Sequence, residues 1–501
     1  MPTPQTPTED TLYDLAIIGG GITGAAVARD AALRGLKTIL FEKTDFGSGA
    51  STKTSKLAHG GLRYLEYGEI GLVRESLRER NLLLNLCSPW VKPLPFLFPV
   101  YASSRRPLWQ IATGIRLYQL MAGEAPKKWQ RRLSAGALGA RVKGLYGEDL
   151  RGAAGYTDAQ MQDGRLVIEN IRSALSHGAQ AYNYSDVVSV RRTGTQWHTL
   201  AIKQENTQID VAARSVVNAT GAWSNDVLKR IGVDRKLVAP SKGVHVVLPD
   251  IGLDAALILE TPQDRRIFFV IPWAQRTLIG TTDTFSDDDP GRLTVHEDDV
   301  RYLLEAFHHY FPERSFDAGD VVATFAGLRP LISSKPGHAA SAASRTHSIV
   351  VDQDRVISIA GGKFTTYRAM AEEVVDLVAQ RLGETAAPST CQTHVLPLWA
   401  TDEPVENGAP SDAMPDHWAH FYGPRATEMA ALMLARPDLA EPISADHPYL
   451  KTELYYGIQN EMVQCVEDWL ERRTHIALSR NLTSQFIKDA GLTFETMRAD
   501  S

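Results

Sequence analysis

Apolar residues follow several spacings along this chain, and each spacing predicts a different kind of element. Between Tyr13 and Glu42 a short apolar run, Leu15 to Ile18, meets Gly19-Gly20-Gly21-Ile22-Thr23-Gly24. An Ala-rich stretch continues to about Leu33, Gly35 stops it, and Lys37 to Phe41 is a second apolar run ending at Glu42. Strand, glycine turn, helix, strand and acid in that order predict a βαβ unit. From Arg74 to Leu86 apolar positions recur at helical spacing, with Pro89 beyond the end. Strand-length runs then dominate: Gly155 to Asp163 leading into a helix, Val187 to Val190, Trp197 to Lys203, Ser215 to Asn218 and Lys242 to Leu248. Phe268 to Pro272 and Thr277 to Gly280 flank a short turn and predict a hairpin outside the βαβ pattern. Val356 to Ile359 is a further strand, before an amphipathic helix that runs to about Leu382. Cys391 to Asp416, rich in Pro, Asp and Glu, reads as a linker; Trp418 to Ala435, Lys451 to Glu471 and Thr483 to Ala490 read as helices.

Length changes this picture first: 501 residues exceed what one core fills, so two or three domains are expected. A net charge of −6 and the lack of a nucleic-acid-binding motif give no reason to expect a nucleic-acid partner. The three cysteines, Cys87, Cys391 and Cys465, lie far apart without a C-x-x-C. That predicts neither a disulfide framework nor a thiolate metal site, and it fits a reducing cytoplasm. Met1 to Asp10 lacks the basic and apolar regions of a secretory signal, and the most membrane-like run, Leu15 to Ala28, is too short to span. Against this background Lys92 to Arg132 stands apart. It carries Lys92, Arg105, Arg106, Arg116, Lys127, Lys128, Arg131 and Arg132 against the single acid Glu124, with Phe96, Phe98, Trp109, Ile111, Ile115, Tyr118, Leu120, Met121 and Trp129 between them. Such a block suits an anionic lipid surface. It equally suits a core whose arginines form a solvated face.

The glycine turn carries the clearest chemistry. Gly19 permits a tight turn, Gly21 lets bare backbone approach a pyrophosphate, and Gly24 allows helix and strand to touch, while the helix N-terminus offers N–H groups and a positive dipole end. Glu42 would accept hydrogen bonds from a ribose diol, so the unit predicts a bound dinucleotide. After it comes a run of small hydroxylated residues that includes Thr52 and Ser55, then His59-Gly60-Gly61-Leu62-Arg63-Tyr64. Two adjacent glycines inside a helix would cost about 1 kcal/mol each relative to alanine. The segment is therefore expected to face a cofactor. Ala219-Thr220-Gly221 ends a buried strand in small residues, and Gly280-Thr281-Thr282-Asp283 places Thr282 and Asp283 at a sheet edge. Arg329 precedes Pro330 and is expected to be extended.

Taken together, G-G-G-I-T-G, S-K-L-A-H-G-G-L-R-Y-L-E, G-T-T-D, G-L-R-P-L and G-G-K-F-T-T-Y-R resemble the FAD-dependent glycerol-3-phosphate dehydrogenase family, among the flavoproteins similar to D-amino acid oxidase. The resemblance covers roughly Asp14 to Leu382 and returns near Asp468-Trp469-Leu470-Glu471-Arg472-Arg473. It implies FAD as cofactor, glycerol 3-phosphate as substrate and a membrane quinone as electron acceptor. It also tips the basic block toward an anionic lipid surface, which would put the enzyme in the cytoplasm, peripherally on the inner face of the cell membrane. With the element pattern it implies an α/β + α fold. A Rossmann-like FAD-binding domain would come from residues 11–75, 150–236 and 345–388, a cap or membrane-facing segment from 76–149, an antiparallel β-sheet substrate domain from 237–344, and a small C-terminal helical domain from 389–501.

Residue by residue, Arg63, Tyr64, Arg329, Arg345 and Lys363 look like the family's substrate pocket, with Thr282 and Asp283 also expected to bind substrate, and a phosphate dianion calls for at least two such cations. His59 or His245 is the candidate base for the hydroxyl proton, with Arg329 also in the catalytic group. Gly60, Gly61, Gly362, Lys363 and Thr365 are expected against the flavin, where a helix entry favours the negative charge of the reduced ring. The competing readings are oxygen as acceptor, an amine oxidation like that of D-amino acid oxidase, and a flavin-binding scaffold without catalysis. A pair of phosphate-binding arginines argues against an amino acid, and His59, Arg63, Arg329 and Lys363 together argue against a bare scaffold. A homodimer is compatible with the chain.

Overall fold

The structure is a computed structural model. It describes residues 11–124, 132–193, 197–205, 207–286, 288–332, 346–352, 356–383, 387–392, 414–423, 425–445, 447–479 and 482–499. β1 (Leu12–Ile18), α1 (Ile22–Leu33) and β2 (Thr38–Phe41) form the expected unit, followed by β3 (Leu57–Ala58), α2 (Ile70–Leu86), β4 (Val91–Tyr101), α3 (Leu108–Met121) and α4 (Ala135–Arg141). Next come β5 (Leu150–Met161), α5 (Asp163–Ser176), β6 (Gln180–Tyr182), β7 (Asp186–Thr193), β8 (Trp197–Gln204), β9 (Thr207–Asn218) and α6 (Ser224–Arg230). A run of strands follows, β10 (Ser241–Pro249), β11 (Ala256–Glu260), β12 (Ile267–Trp273), β13 (Arg276–Gly280) and β14 (Thr284–Phe285), then α7 (Glu297–Tyr310) and β15 (Ala323–Arg329). β16 (His347–Val351), β17 (Val356–Gly361) and α8 (Tyr367–Leu382) precede the C-terminal helices.

Among the described residues the strands make two sheets. The first has eight strands, ordered β16-β17-β9-β1-β2-β6, with β8 also on β9 and β7 on β8. β17, β9, β1, β2 and β6 run parallel, so Ile17 sits beside both Leu40 and Val217. Side chains alternate across it as the pleat requires. Leu15 and Ile17 face a core with Ala25 and Ala28 of α1, Ile168 and Ile171 of α5, and Val374 and Val375 of α8. Ala16 and Ile18 face the opposite core with Val187, Leu200 and Val211 of the β7-β8-β9 meander.

The second sheet has nine strands, ordered β14-β10-β13-β12-β11-β4-β5-β3, with β15 on the other edge of β10. Phe307 and Phe311 at the C-terminal end of α7 cover one face against Val244, Val246 and Ile279. Leu77 of α2 and Ile115 and Tyr118 of α3 cover the other against Phe96, Ile258 and Leu278. Two of the expected boundaries change here. The segment 76–149 contributes β4 and 150–236 contributes β5, and both strands belong to the second sheet because β4 pairs with β11 and β5 with β4; β3, from 11–75, adds to the same edge on β5. β4 also pairs parallel with β11, so the sheet is mixed rather than wholly antiparallel.

The helix expected over Trp418 to Ala435 is two, Asp416–Phe421 and Arg425–Ala435, with Gly423 at positive φ between them. The one expected over Lys451 to Glu471 ends at Asn460; a turn with Met462 at positive φ leads to Val466–Asp468 and a π-helical turn over Trp469–Arg473. Asp468 causes the second start by accepting the Gln464 and Cys465 N–H groups at 2.9 and 3.2 Å. The final helix is longer than expected, Ser484–Ala499.

Candidate active site

The glycine turn is a local consequence of its residues. Gly19 has φ +104, and a Cβ there would lie 2.8 Å from the Ala219 carbonyl oxygen. A Cβ on Gly24 would stand 1.9 Å from the Gly19 carbonyl oxygen, so only glycine lets α1 meet the turn. Ser51 closes in from the other side, its Oγ accepting the Ile22 N–H at 2.9 Å. Glu42 takes the Gly20 N–H at 2.7 Å on one oxygen and the Thr44 N–H and hydroxyl at 3.0 Å each on the other. Burial raises its pKa, and these bonds act in the opposite direction.

Around this turn lies a cavity of about 310 Å³, between the two sheets' contributions. Its lining includes Gly19, Gly21, Glu42, Ser55, His59, Tyr64, Ala219, Gly221, His245, Arg329, Gly362, Lys363 and Thr365, residues drawn from seven separate stretches of sequence. A second cavity of about 520 Å³ shares Ser55, His59, Tyr64, Phe269 and Arg329 with it and adds Gly61, Arg63, Asp283 and the apolar side chains Phe96, Trp109 and Ile115. Four expected site residues line neither. Gly24 serves the turn. Thr52 is buried, with its hydroxyl on the Gly47 carbonyl at 2.9 Å. Gly60 faces Leu77 and the Tyr118 hydroxyl, and Thr282 Oγ1 accepts the Val244 N–H at 3.0 Å. Arg345 lies outside the described residues.

His59-Gly60-Gly61 is not part of a helix. It links β3 to a 3-10 turn over Leu62–Tyr67, with Gly61 at φ +78. A Cβ on Gly61 would lie 2.4 Å from the Tyr64 ring and 2.9 Å from Lys363 Nζ. Those two side chains pack together, the ammonium 3.9 Å over the ring, and Lys363 also donates to Ser76 Oγ at 3.1 Å. Thr365 Oγ1 holds the His59 backbone, accepting its N–H at 3.1 Å.

Arg329, at the end of β15, is fixed by three bonds. Nη1 donates to the Thr282 carbonyl at 3.2 Å and to Asp283 at 3.3 Å, and Nη2 to Thr281 Oγ1 at 2.8 Å. Asp283 therefore serves as the arginine's anchor. Gly243 makes room, since a Cβ there would be 2.3 Å from Arg329 Nη2. His245 is buried, stacked on Phe325 at 4.7 Å, with Nε2 2.8 Å from Ser55 Oγ. Burial, with Arg329 and Lys56 nearby, drives its pKa well below the usual histidine value, so the ring is neutral at working pH.

Ser51, inside the hydroxylated run after Glu42, and Trp223, two positions past Gly221, also line the cavity, and nothing in their local sequence sets them apart from their neighbours. Lys43 stands 4.1 Å over the Trp223 ring at the same cavity.

The glycine cradle and the acid at the strand tip, both on the cavity, fit the dinucleotide part of FAD. The match to the family of FAD-dependent oxidoreductases covers residues 14–377, and residues 391–491 match the C-terminal domain of alpha-glycerophosphate oxidase. A glycerol-3-phosphate dehydrogenase of Synechocystis is 37% identical, with 94% of this chain and 90% of that one covered. The human mitochondrial glycerol-3-phosphate dehydrogenase is 33% identical, with 93% of this chain and 67% of that one covered. The crystal structure of a glycerol-3-phosphate dehydrogenase from Bacillus halodurans complexed with FAD superposes with a TM-score of 0.79 at 28% identity, covering 98% of this chain and 91% of that one. A chain with this cradle, this two-sheet fold and these relatives over nearly its whole length belongs to the FAD-dependent oxidoreductases and, within them, to the glycerol-3-phosphate dehydrogenase family.

Proposed function

We propose that the protein oxidises sn-glycerol 3-phosphate at C2 to dihydroxyacetone phosphate and passes the electrons to a membrane quinone. The observation that carries this reading is the convergence of Arg329, Lys363, Tyr64, His59 and His245 on the cavity that also holds the glycine cradle. Bound FAD supplies the two-electron acceptor, taking a hydride at N5. Gly19, Gly21, Glu42, Ser51, Ala219 and Gly221 would hold its dinucleotide part, and Gly362 and Thr365 its ring.

The chain's own residues do the rest. Arg329 and Lys363 neutralise the phosphate dianion, and the Arg329 guanidinium, fixed before substrate arrives, orients it. Tyr64 walls the pocket and fixes the Lys363 ammonium over its ring. The hydroxyl proton leaves through Ser55 Oγ, whose own proton moves to His245 Nε2 2.8 Å away. A neutral ring is required for this. The charge of the bound dianion offsets the repulsion that Arg329 and Lys56 exert on the imidazolium. His59 is the alternative base, and the pH profile of kcat/KM separates the two: loss of the acidic limb in His245→Asn but not in His59→Asn supports the Ser55–His245 route.

The apolar second cavity beside the ring side of the site suits a quinone head group. α3 suits the lipid surface that delivers it, with Trp109, Leu117 and Leu120 exposed by 64%, 49% and 64% and Arg105 and Arg116 exposed beside them. Among the described residues no helix is long and apolar enough to cross a membrane, so attachment would be peripheral, at the inner face. Anaerobic addition of glycerol 3-phosphate should bleach the flavin's visible band, and a soluble quinone should restore it faster than air. Absence of bleaching would refute the substrate; faster reoxidation by air would refute the acceptor.

A further inference from the structure

Among the described residues none beyond Met370 lines either cavity, yet the C-terminal domain reaches the loop that lines the first. Asp45 stands at the head of that loop, ahead of Gly47, Ser48, Gly49, Ala50 and Ser51, which all line the cavity. Its carboxylate is buried. Arg473 grips it with two nitrogens, Nη1 at 2.5 Å and Nη2 at 2.9 Å, and Arg472 Nε adds a third bond. Arg473 and Asp45 are 428 positions apart in the chain.

Both ends of this grip are themselves held. Arg473 Nε and Nη2 donate to the Glu461 carbonyl at 3.1 and 2.7 Å, and Arg472 Nη2 donates to Asp468 at 2.6 Å. On the loop side, Asn183 Nδ2 donates to Asp45 at 3.0 Å and to the Met462 carbonyl at 2.9 Å, bridging the two domains a second time. The residues after Asp45 then touch the glycine turn directly. The Phe46 ring fills the space where a Cβ on Gly20 would be 2.5 Å away, and the Gly47 N–H donates to the Gly20 carbonyl at 3.0 Å. The loop is thus pinned to the cradle along its length and to the C-terminal domain at its head. A buried carboxylate that loses guanidinium partners is left uncompensated, so a weakened pair must be relieved by moving the loop or admitting water.

We propose that Arg472 and Arg473 are positioning residues for the cofactor: through Asp45 they hold loop 45–51 in the shape that closes the dinucleotide cavity, so that the C-terminal domain controls how long FAD stays bound. The statement rests on the cavity being the FAD site and not on the identity of the substrate.

The test uses the full-length holoenzyme and needs no substrate. FAD release on dilution is followed by the gain in flavin fluorescence for wild type, Asp45→Asn, Arg472→Lys and Met429→Ala. Arg472→Lys keeps the charge but not the fork. Met429→Ala weakens a separate apolar cluster of the same domain, around Trp418 and Tyr422, and reports what mere destabilisation does. Asp45→Asn and Arg472→Lys should release FAD about tenfold faster or more, the scale of one charge-assisted hydrogen bond, with the far-UV spectrum unchanged. Met429→Ala should lower Tm and release FAD at the wild-type rate. Wild-type release from folded Arg472→Lys overturns the proposal, as does equally fast release from Met429→Ala. If Asp45→Asn does not fold, Arg472→Lys decides alone.

Discussion

Arg329 is legible as a candidate through a short motif and owes its geometry to the fold. G-L-R-P-L identified it in the sequence, and Pro330 accounts for the extended backbone. The three acceptors that aim it, the Thr282 carbonyl, Asp283 and Thr281 Oγ1, come from a loop some 46 to 48 positions away. Replacing it removes both a charge and a preset orientation. Arg329→Ala should lower kcat/KM for glycerol 3-phosphate by about tenfold to a hundredfold, the worth of one or two charge-assisted bonds, while FAD stays bound. Steady-state kinetics with the flavin content measured alongside checks both halves. Glycines 19, 21 and 24 were legible because their demand is on the local backbone. The inward turn of Thr52 was not legible, because composition shows that a residue is small and polar, not which way it points.

At the level of elements, α3 decides how the basic, aromatic block is read. Its buried residues, Ala112, Ile115 and Tyr118, belong to a core, which satisfies one reading. The other side of the same helix exposes Trp109, Leu117 and Leu120, which a soluble surface does not need. Arg106 is paired with Glu66 at 3.0 Å, so its charge is partly spent, and Lys127, Lys128, Trp129 and Arg131 lie outside the described residues. The apolar contribution should therefore dominate. Trp109→Ser with Leu120→Ser should weaken binding to anionic vesicles by about tenfold or more, since each side chain immersed contributes on the order of 1 kcal/mol. Co-sedimentation measures it, and undiminished binding would leave α3 facing water. Period and glycine content located this helix's neighbours well, yet β4, with three prolines, was not read as a strand. It tolerates them because pairing with β5 holds it in place over eleven positions.

Across the whole molecule, buried histidines couple stability to pH. His475, wedged between Trp273 and Phe421, has its pKa lowered to about 3 by burial and by Lys56 and Lys92. The unfolded chain takes up a proton near pH 6.5, and the folded chain does not until far lower pH. Stability from this group is therefore full above about 6.5 and falls as the pH drops from there, by about 1.4 kcal/mol per unit, until about 3. Glu42 and Asp158, whose pKa values burial raises, act in the opposite sense, so the net slope is a sum. The difference between wild type and His475→Phe isolates one contributor. The variant's unfolding free energy should decline less steeply between pH 6.5 and 5, by about 1.4 kcal/mol per unit, as denaturant titrations at each pH would show. Parallel slopes would mean that His475 is protonated in the folded state.

What the sequence determined by itself is whatever short stretches of backbone and side chain decide locally: the glycine turn, the strand-helix-strand unit, the acid at its tip, the family's motifs and the hairpin at 267–280. These depend on neighbours within about thirty residues, so their pattern is visible in one dimension. The tertiary structure alone decided which sheet β4 and β5 join, which of the hydroxylated residues after Glu42 face the cavity, that Asp283 anchors Arg329, and that Arg472 and Arg473 close on Asp45. Each of those outcomes depends on a partner that is remote in sequence. Hydrogen bonding and burial select that partner only once the chain has folded around it.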